Sequence, residues 1–185
     1  MGLRVDLVLA EAEGAYISQV PSGVRLVDLA APRRAQSVVK LAKYLREDRP
    51  RRLLSTLLFS NVAVYLAARL ARYKGRIVLR EANTLSSYIP EASLKKRMTA
   101  HLLLRRAYEN ADAVVGVSEG VVQDLRTYLD LSNPNIVTIY NPMPRVPERP
   151  ERHPHPFFRT DAPVLIAAGR LHRQKRFDVL LDAFA

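Results

Sequence analysis

Between Leu3 and Asn141 short apolar runs alternate with longer stretches of helical period, and that alternation leaves very few architectures open. LRVDLVLA (Leu3–Ala10) and VRLVDL (Val24–Leu29) have the length and aliphatic character of strands. Ser37–Arg46 puts Val38, Leu41, Ala42 and Leu45 on one helical face, with Lys40, Lys43 and Arg46 elsewhere. Arg52–Leu57 predicts a strand. VAVYLAARLARYKG predicts a helix with Asn61 as its N-cap and Gly75 at its end. RIVLRE (Arg76–Glu81) is strand-like, and Ala92–Tyr108 is a long basic helix. ADAVVGVS (Ala111–Ser118) is apolar almost without a break, as strands buried on both faces are. EGVVQDLRTYLD predicts a helix capped by Ser118, and NIVTIYN a further strand. Strands that alternate with helices build βαβ units, hence a parallel sheet in an α/β fold.

The texture changes at Asn141. NPMPRVPERPERHPHP holds six of the chain's 12 prolines (142, 144, 147, 150, 154 and 156). Proline removes the backbone donor that a helix interior or central strand needs, so this stretch reads as a linker or surface crossing. APVLIAAGRL then predicts a strand and loop, followed by a last helix. The divisions expected are a first domain over residues 1–140, a Pro-rich linker over 141–161 and the opening βα unit of a second domain over 162–185.

Several chemistries are excluded by residue type. There is no cysteine, so there is no disulfide, thiolate nucleophile or cysteine metal site. No apolar run reaches the roughly 18 residues that span a membrane. Asp6 interrupts the first apolar run, which argues against a signal peptide and fits a cytoplasmic protein. His153 and His155, set among prolines, belong to the linker and not to a metal site. Glu109 and Asp112 are expected at a helix end and a strand start. The net charge of +11 favours anionic partners.

That charge is most concentrated in GRLHRQKRFDVLLDAFA, where Arg170, Arg173, Lys175 and Arg176 fall within seven residues. Phe177, Leu180, Leu181 and Phe184 follow helical spacing, so the cations sit at a helix N-terminus. Unpaired N–H groups already make that end positive, and cations there cost energy unless an anion binds. A loop between a parallel strand and a helix N-terminus is also where such sheets hold phosphate. Arg170 and Lys175 are therefore candidate arms of a diphosphate site.

The run G-R-L-x-x-x-K-x-F-D-x-L-L-x-A-F (Gly169–Phe184) resembles the nucleotide-sugar site of retaining glycosyltransferases with the GT-B fold, of the group 1 or family 4 type. VVGVSEGVVQDL is similar to that family's strand–Ser–helix segment, TIYNPMP to its hinge, and the stretch from Leu3 to Leu29 to its second strand and the segment beyond that strand. The resemblance implies two Rossmann-like domains, of which this chain holds an incomplete N-terminal one and the first βα unit of the second. It implies hexosyl transfer from a nucleoside-diphosphate sugar to a glycan or lipid-linked acceptor, with retention and no metal or other cofactor. Arg170 and Lys175 would bind the donor diphosphate. Arg176 stands where the family has glycine. Many relatives carry a functional His after the strand matching RIVLRE; here the sequence is REANTLSS, and Asn83 is the candidate cleft residue. A strand with a Gly-rich loop and helix is expected before Gly2, and an acidic E-x7-E after Ala185. Neither is in the sequence, so a fragment is expected, inactive in sugar transfer by itself.

The basic helix SLKKRMTAHLLLRRAYEN mixes Lys95, Lys96, Arg97, Arg105 and Arg106 with Leu94, Met98, Leu102 and Leu103. Such a helix suits the inner face of an anionic membrane as well as an ordinary solvated surface. The competing function is a non-catalytic basic α/β module binding anionic membrane or nucleic acid. Against nucleic acid, the cations are scattered and aromatics make up only 7% of the residues, leaving few stacking platforms.

Overall fold

The computed structural model describes residues 2–88, 94–143, 155–159, 163–172 and 175–184. The chain divides into two compact units, Met1–Pro142 and Met143–Ala185. In the first, β1 (Val5–Leu9) pairs in parallel with β2 (Val24–Asp28), and α1 (Arg34–Glu47) leads on to β3 (Arg52–Thr56). There follow α2 (Leu58–Ala71), β4 (Arg76–Glu81), α3 (Leu85–Tyr88), α4 (Leu94–Glu109), β5 (Ala113–Gly116), α5 (Glu119–Leu129) and β6 (Ile136–Thr138). Strands β3 to β6 form a second parallel sheet in sequence order. The expected α/β parallel architecture is what the residues build.

One core joins the two sheets. Leu79 and Val114 of the four-stranded sheet and Leu125 and Leu129 of α5 are fully buried. They cluster with Leu41, Ala42 and Leu45 of α1 and with Ala67 of α2, and Val8 and Val27 of the smaller sheet pack against the same cluster. Each is apolar at the period that its element dictates.

Two sequence expectations for α2 are corrected. Asn61 is not its N-cap: the helix starts three residues earlier, and the Leu57 carbonyl accepts from the Asn61 N–H at 2.9 Å. The Asn61 amide is drawn inward instead, where the Arg80 carbonyl and the buried Tyr108 hydroxyl accept from it. Gly75 is not the C-cap either. The helix ends at Ala71, and Arg72 adopts the left-handed conformation at φ 51°. Tyr73 N–H then returns to the Ala68 carbonyl at 2.9 Å, closing the end as a glycine cap would. Gly75 makes room for a ring: a Cβ there would lie 2.1 Å from the Tyr73 hydroxyl, which donates to the Pro50 carbonyl. Ser118 does cap α5, its Oγ accepting from Val121 N–H at 3.3 Å.

In the second unit, α6 (Phe177–Phe184) forms as its periodicity predicts. The strand expected within APVLIAAGRL does not form among the described residues 163–172. A strand needs a hydrogen-bonding neighbour, and none is present among the described residues of this unit. Leu165, Leu180 and Phe184 instead line an open apolar pocket of about 490 Å³.

A polar clamp fastens the smaller sheet to α1. Arg25 Nε donates to Asp6 Oδ1 at 3.1 Å, its Nη2 reaches Asp48, and the Tyr44 hydroxyl donates to Asp6 Oδ2 at 2.7 Å. The Arg25 hydrogen bond, then that of Tyr44, holds the Asp6 carboxyl down at about 2 from an ordinary 3.8. Burial, then the bond to Asp6, pushes the Tyr44 phenol up to about 12 from 10.0. Folding thus favours ionised Asp6, a contribution complete above pH 3.8 and lost as pH falls through 2. Neutral Tyr44 contributes fully below pH 10.0, and that is lost as pH rises through 12. The protection of the Val8 and Val27 amides against exchange, taken relative to the intrinsic rate at each pH, is therefore expected to hold from about pH 4 to 10 and to fall outside it. Tyr44→Phe should remove the alkaline limb; an unchanged limb would assign it elsewhere.

Candidate functional site

In parallel sheets the carboxyl ends of the strands carry ligand sites, because loops and helix N-termini converge there. Here that edge is built from the ends of β3 and β4 and the segment after β6. Arg80, the penultimate residue of β4, donates through Nη1 to Thr56 Oγ1 at 2.7 Å and through Nη2 to Asn141 Oδ1. One guanidinium thus ties the end of β3 to the Tyr140–Asn141–Pro142 segment after β6.

Glu81, the last residue of β4, turns the other way and is fully buried. Its Oε2 accepts from the Tyr108 hydroxyl at 2.7 Å, and its Oε1 from the backbone N–H groups of Ala82 at 2.9 Å and Asn83 at 3.4 Å. Asn61 Nδ2 donates to Tyr108 Oη and to the Arg80 carbonyl, both at 3.0 Å. Burial first, then the Glu81 charge, pushes the Tyr108 phenol far above its usual range. The network fixes where the chain leaves β4. Asp124 of α5 fixes the next turn, its Oδ2 accepting from Leu85 N–H at 2.6 Å while its Oδ1 takes the Ser86 hydroxyl.

Asn83 sits between these two anchors. It is half-buried, its N–H is engaged with Glu81, and its side-chain amide makes no hydrogen bond among the described residues. The chain is thus hydrogen-bonded on both sides of Asn83, while its own side-chain amide is unengaged among the described residues.

Arg170 and Lys175 lie in the second unit, and both are exposed. The Lys175 stem lies over Gly169, its Cγ 3.5 Å from where a Cβ would be, and Phe177 Cζ is at 3.3 Å. A backbone bond from Lys175 N–H to the His172 carbonyl, 2.8 Å, closes the turn before α6. Arg176 takes the left-handed conformation at φ 50°, so an arginine keeps backbone angles that favour glycine. Its pair with Asp178 at 3.3 Å is exposed and contributes little. Arg176→Gly is expected to raise stability by roughly 1 kcal/mol through relief of that strain, read as a shifted denaturation midpoint. Among the described residues no cluster of His, Asp and Glu is placed to hold a metal ion.

The sequence profile of Glycosyltransferase Family 4 matches residues 1–145. The chain belongs to glycosyltransferase family 4. No curated protein matches it. The family 4 match takes in both sheets, the Glu81 network and the Arg80 bridge, and parallel strands with helices between them are what a GT-B first domain of this family has. Family 4 membership implies a sugar donor and an acceptor. The Glu81–Tyr108–Asn61 network is not legible in the sequence. Its one signal there is a carboxylate at the end of a strand with an apolar centre, RIVLRE, a pattern that an exposed strand terminus shares.

Proposed function

We propose that this chain supplies the acceptor-side domain and the opening of the donor domain of a retaining glycosyltransferase that uses a nucleoside-diphosphate sugar. Residues 162–185 begin the donor domain, and Arg170 and Lys175 bind the donor diphosphate. The carrying observation is the placement of two exposed cations around the turn that opens α6, a helix end where first-turn backbone N–H groups have no partner within the helix. Together they would steady the leaving diphosphate as the glycosidic bond loosens, electrostatics that need no metal. Asn83 contacts donor or acceptor from the β4 edge. The acceptor is a glycan or a lipid-linked sugar.

Titration of the purified chain with UDP, GDP and inorganic pyrophosphate tests the site. Arg170→Ala and Lys175→Ala should each weaken diphosphate binding about tenfold or more, as expected for a lost charge-assisted hydrogen bond. Equal binding by wild type and the double variant would overturn the assignment. Transfer by the 185-residue chain alone is expected to be undetectable, and turnover of a nucleotide sugar would contradict that.

A lipid-linked acceptor gains support from α4, which exposes Met98 and Leu102 one turn apart, close to the basic residues of the same helix. No helix among the described residues is long and apolar enough to cross a membrane, so contact would be peripheral, at the inner membrane face. Co-sedimentation with vesicles containing phosphatidylserine should exceed that with neutral vesicles and fall with salt. Equal binding to both would remove the electrostatic reading.

A further inference from the structure

Arg80 and Glu81 are consecutive on β4, so their side chains leave opposite faces of the sheet. Glu81 enters the core, while strand register puts Arg80 on the face of Leu54 and Thr56. The Arg80 guanidinium has five donors, of which Thr56 Oγ1 and Asn141 Oδ1 take one each. Both acceptors are neutral, and no carboxylate pairs with Arg80 among the described residues. A guanidinium matches a phosphate with two parallel hydrogen bonds, and a charged acceptor makes each roughly twice as strong as a neutral one. Arg80 is thus held in one place at the carboxyl edge with donors left for an anion.

A second observation concerns the neighbours of its two partners. Leu57, the residue after Thr56, has φ 74° and ψ 145°, angles that glycine adopts freely and other residues rarely. Backbone bonds lock it there. Its N–H donates to the Arg80 carbonyl at 3.2 Å, and its own carbonyl accepts from Asn61 N–H at 2.9 Å. The strain secures little core contact in return, because Leu57 is 49% exposed. Tyr140, the residue before Asn141, is 64% exposed. Each side chain that Arg80 holds therefore has an exposed leucine or tyrosine next to it in the chain. A bridge that only tied β3 to the segment after β6 needs neither, and a glycine at residue 57 would serve it without strain.

We infer that Arg80, Leu57 and Tyr140 form a binding site for a phosphate ester of an apolar alcohol, and that Arg80 is the residue that selects acceptors carrying one. The guanidinium binds two phosphate oxygens as a fork. Thr56 and Asn141 keep that fork oriented, and Leu57 and Tyr140 cover the carbons beside the phosphate. A sugar linked to a lipid phosphate has both parts, and a neutral glycan has neither. The acceptor role rests on the transferase reading given above. The site itself rests on the β4 edge and stands whether or not Arg170 and Lys175 hold a diphosphate.

The test uses the 185-residue chain carrying Arg170→Ala and Lys175→Ala, so that phosphate at the turn before α6 is not what is read. The probes are octyl phosphate, glucose 1-phosphate and neutral octyl glucoside, each kept below its aggregation concentration. The readout is the amide resonances of Thr56, Leu57 and Asn141. Octyl phosphate is expected to bind about tenfold tighter than glucose 1-phosphate, as burial of one or two methylenes gives. Octyl glucoside should leave the three amides unmoved. Arg80→Gln should weaken octyl phosphate about tenfold or more, and Arg80→Lys less, since it keeps the charge and loses the fork. Leu57→Gly should weaken it about threefold or more while the thermal midpoint stays within about 2 °C, because relieved strain offsets the lost apolar contact. Equal affinity in Arg80→Gln and its parent would overturn the inference, as would glucose 1-phosphate binding as tightly as octyl phosphate. Unchanged affinity in Leu57→Gly would overturn it too, and that variant decides the matter should Arg80→Gln fail to fold.

Discussion

Tyr108→Phe is expected to destabilise the first unit by about 2–3 kcal/mol, although it removes a single oxygen. The hydroxyl donates to a fully buried carboxylate and accepts from a fully buried amide, so its loss leaves Glu81 Oε2 and one Asn61 donor without a partner. A hydrogen bond to a charged group contributes about 1.5–3 kcal/mol, and an uncompensated buried charge adds to the cost of losing it. The two backbone donors from Ala82 and Asn83 remain, which keeps the loss below that of a fully orphaned carboxylate. The thermal midpoint should fall by roughly 5–10 °C, at about 2–4 °C per kcal/mol for a chain of this size. Glu81→Ala combined with Tyr108→Phe should cost clearly less than the sum of the two, with a coupling of about 1–3 kcal/mol. Additive losses would mean that the two groups act independently and that the network is not a unit.

The structural consequence of that network is positional. Glu81 and Asp124 grip the chain on either side of Ala82–Thr84, one from β4 and one from α5. Asn83 is thereby presented on a short segment that neither end can release. A variant that loosens either hold is expected to lose order at Asn83 even where the global fold survives, read as faster amide exchange at Asn83 than in the rest of the unit.

Strand and helix placement in the first unit was legible because each element's apolar period matches the face it buries. Ile77 and Leu79 recur at the period of a strand, Leu125 and Leu129 at that of a helix, and Ser118 offers a cap before an apolar run. Legibility failed where a polar residue had two possible roles. Asn61 has the composition of an N-cap, but buried acceptors on β4 and α4 outcompete the helix terminus. Gly75 has the composition of a C-cap, but its missing side chain serves the Tyr73 ring. Both outcomes depend on partners far away in sequence, which no local window contains. The expected strand in 163–172 failed for the complementary reason. Its apolar run is adequate, but a strand exists only with a neighbour, and chain composition does not supply one.

Gly116→Ala is expected to cost about 1–3 kcal/mol, while Gly120→Ala four residues later should gain a few tenths up to about 1 kcal/mol. The pair separates close approach from simple flexibility. At Gly116 an added Cβ would lie 2.6 Å from Val122 Cγ2 and 3.1 Å from the Val122 backbone nitrogen. Val122 is β-branched and in a helix, where its rotamer has little freedom to yield, and a backbone nitrogen cannot yield alone. Relief requires the first turn of α5 to back away from β5. At Gly120 the nearest neighbour is Ser118 Oγ at 3.9 Å, so alanine fits and reduces the entropy of the unfolded chain. The displacement caused at Gly116 does not stay local. Asp124 lies within α5, and its carboxylate holds Leu85 and Ser86. Moving α5 outward stretches that hold and frees the segment bearing Asn83. Gly116→Ala should therefore speed amide exchange at Leu85 and Ser86 more than its global destabilisation accounts for. Exchange there that rises only in step with the rest of the unit would show that α5 and the β4 loop are not mechanically joined.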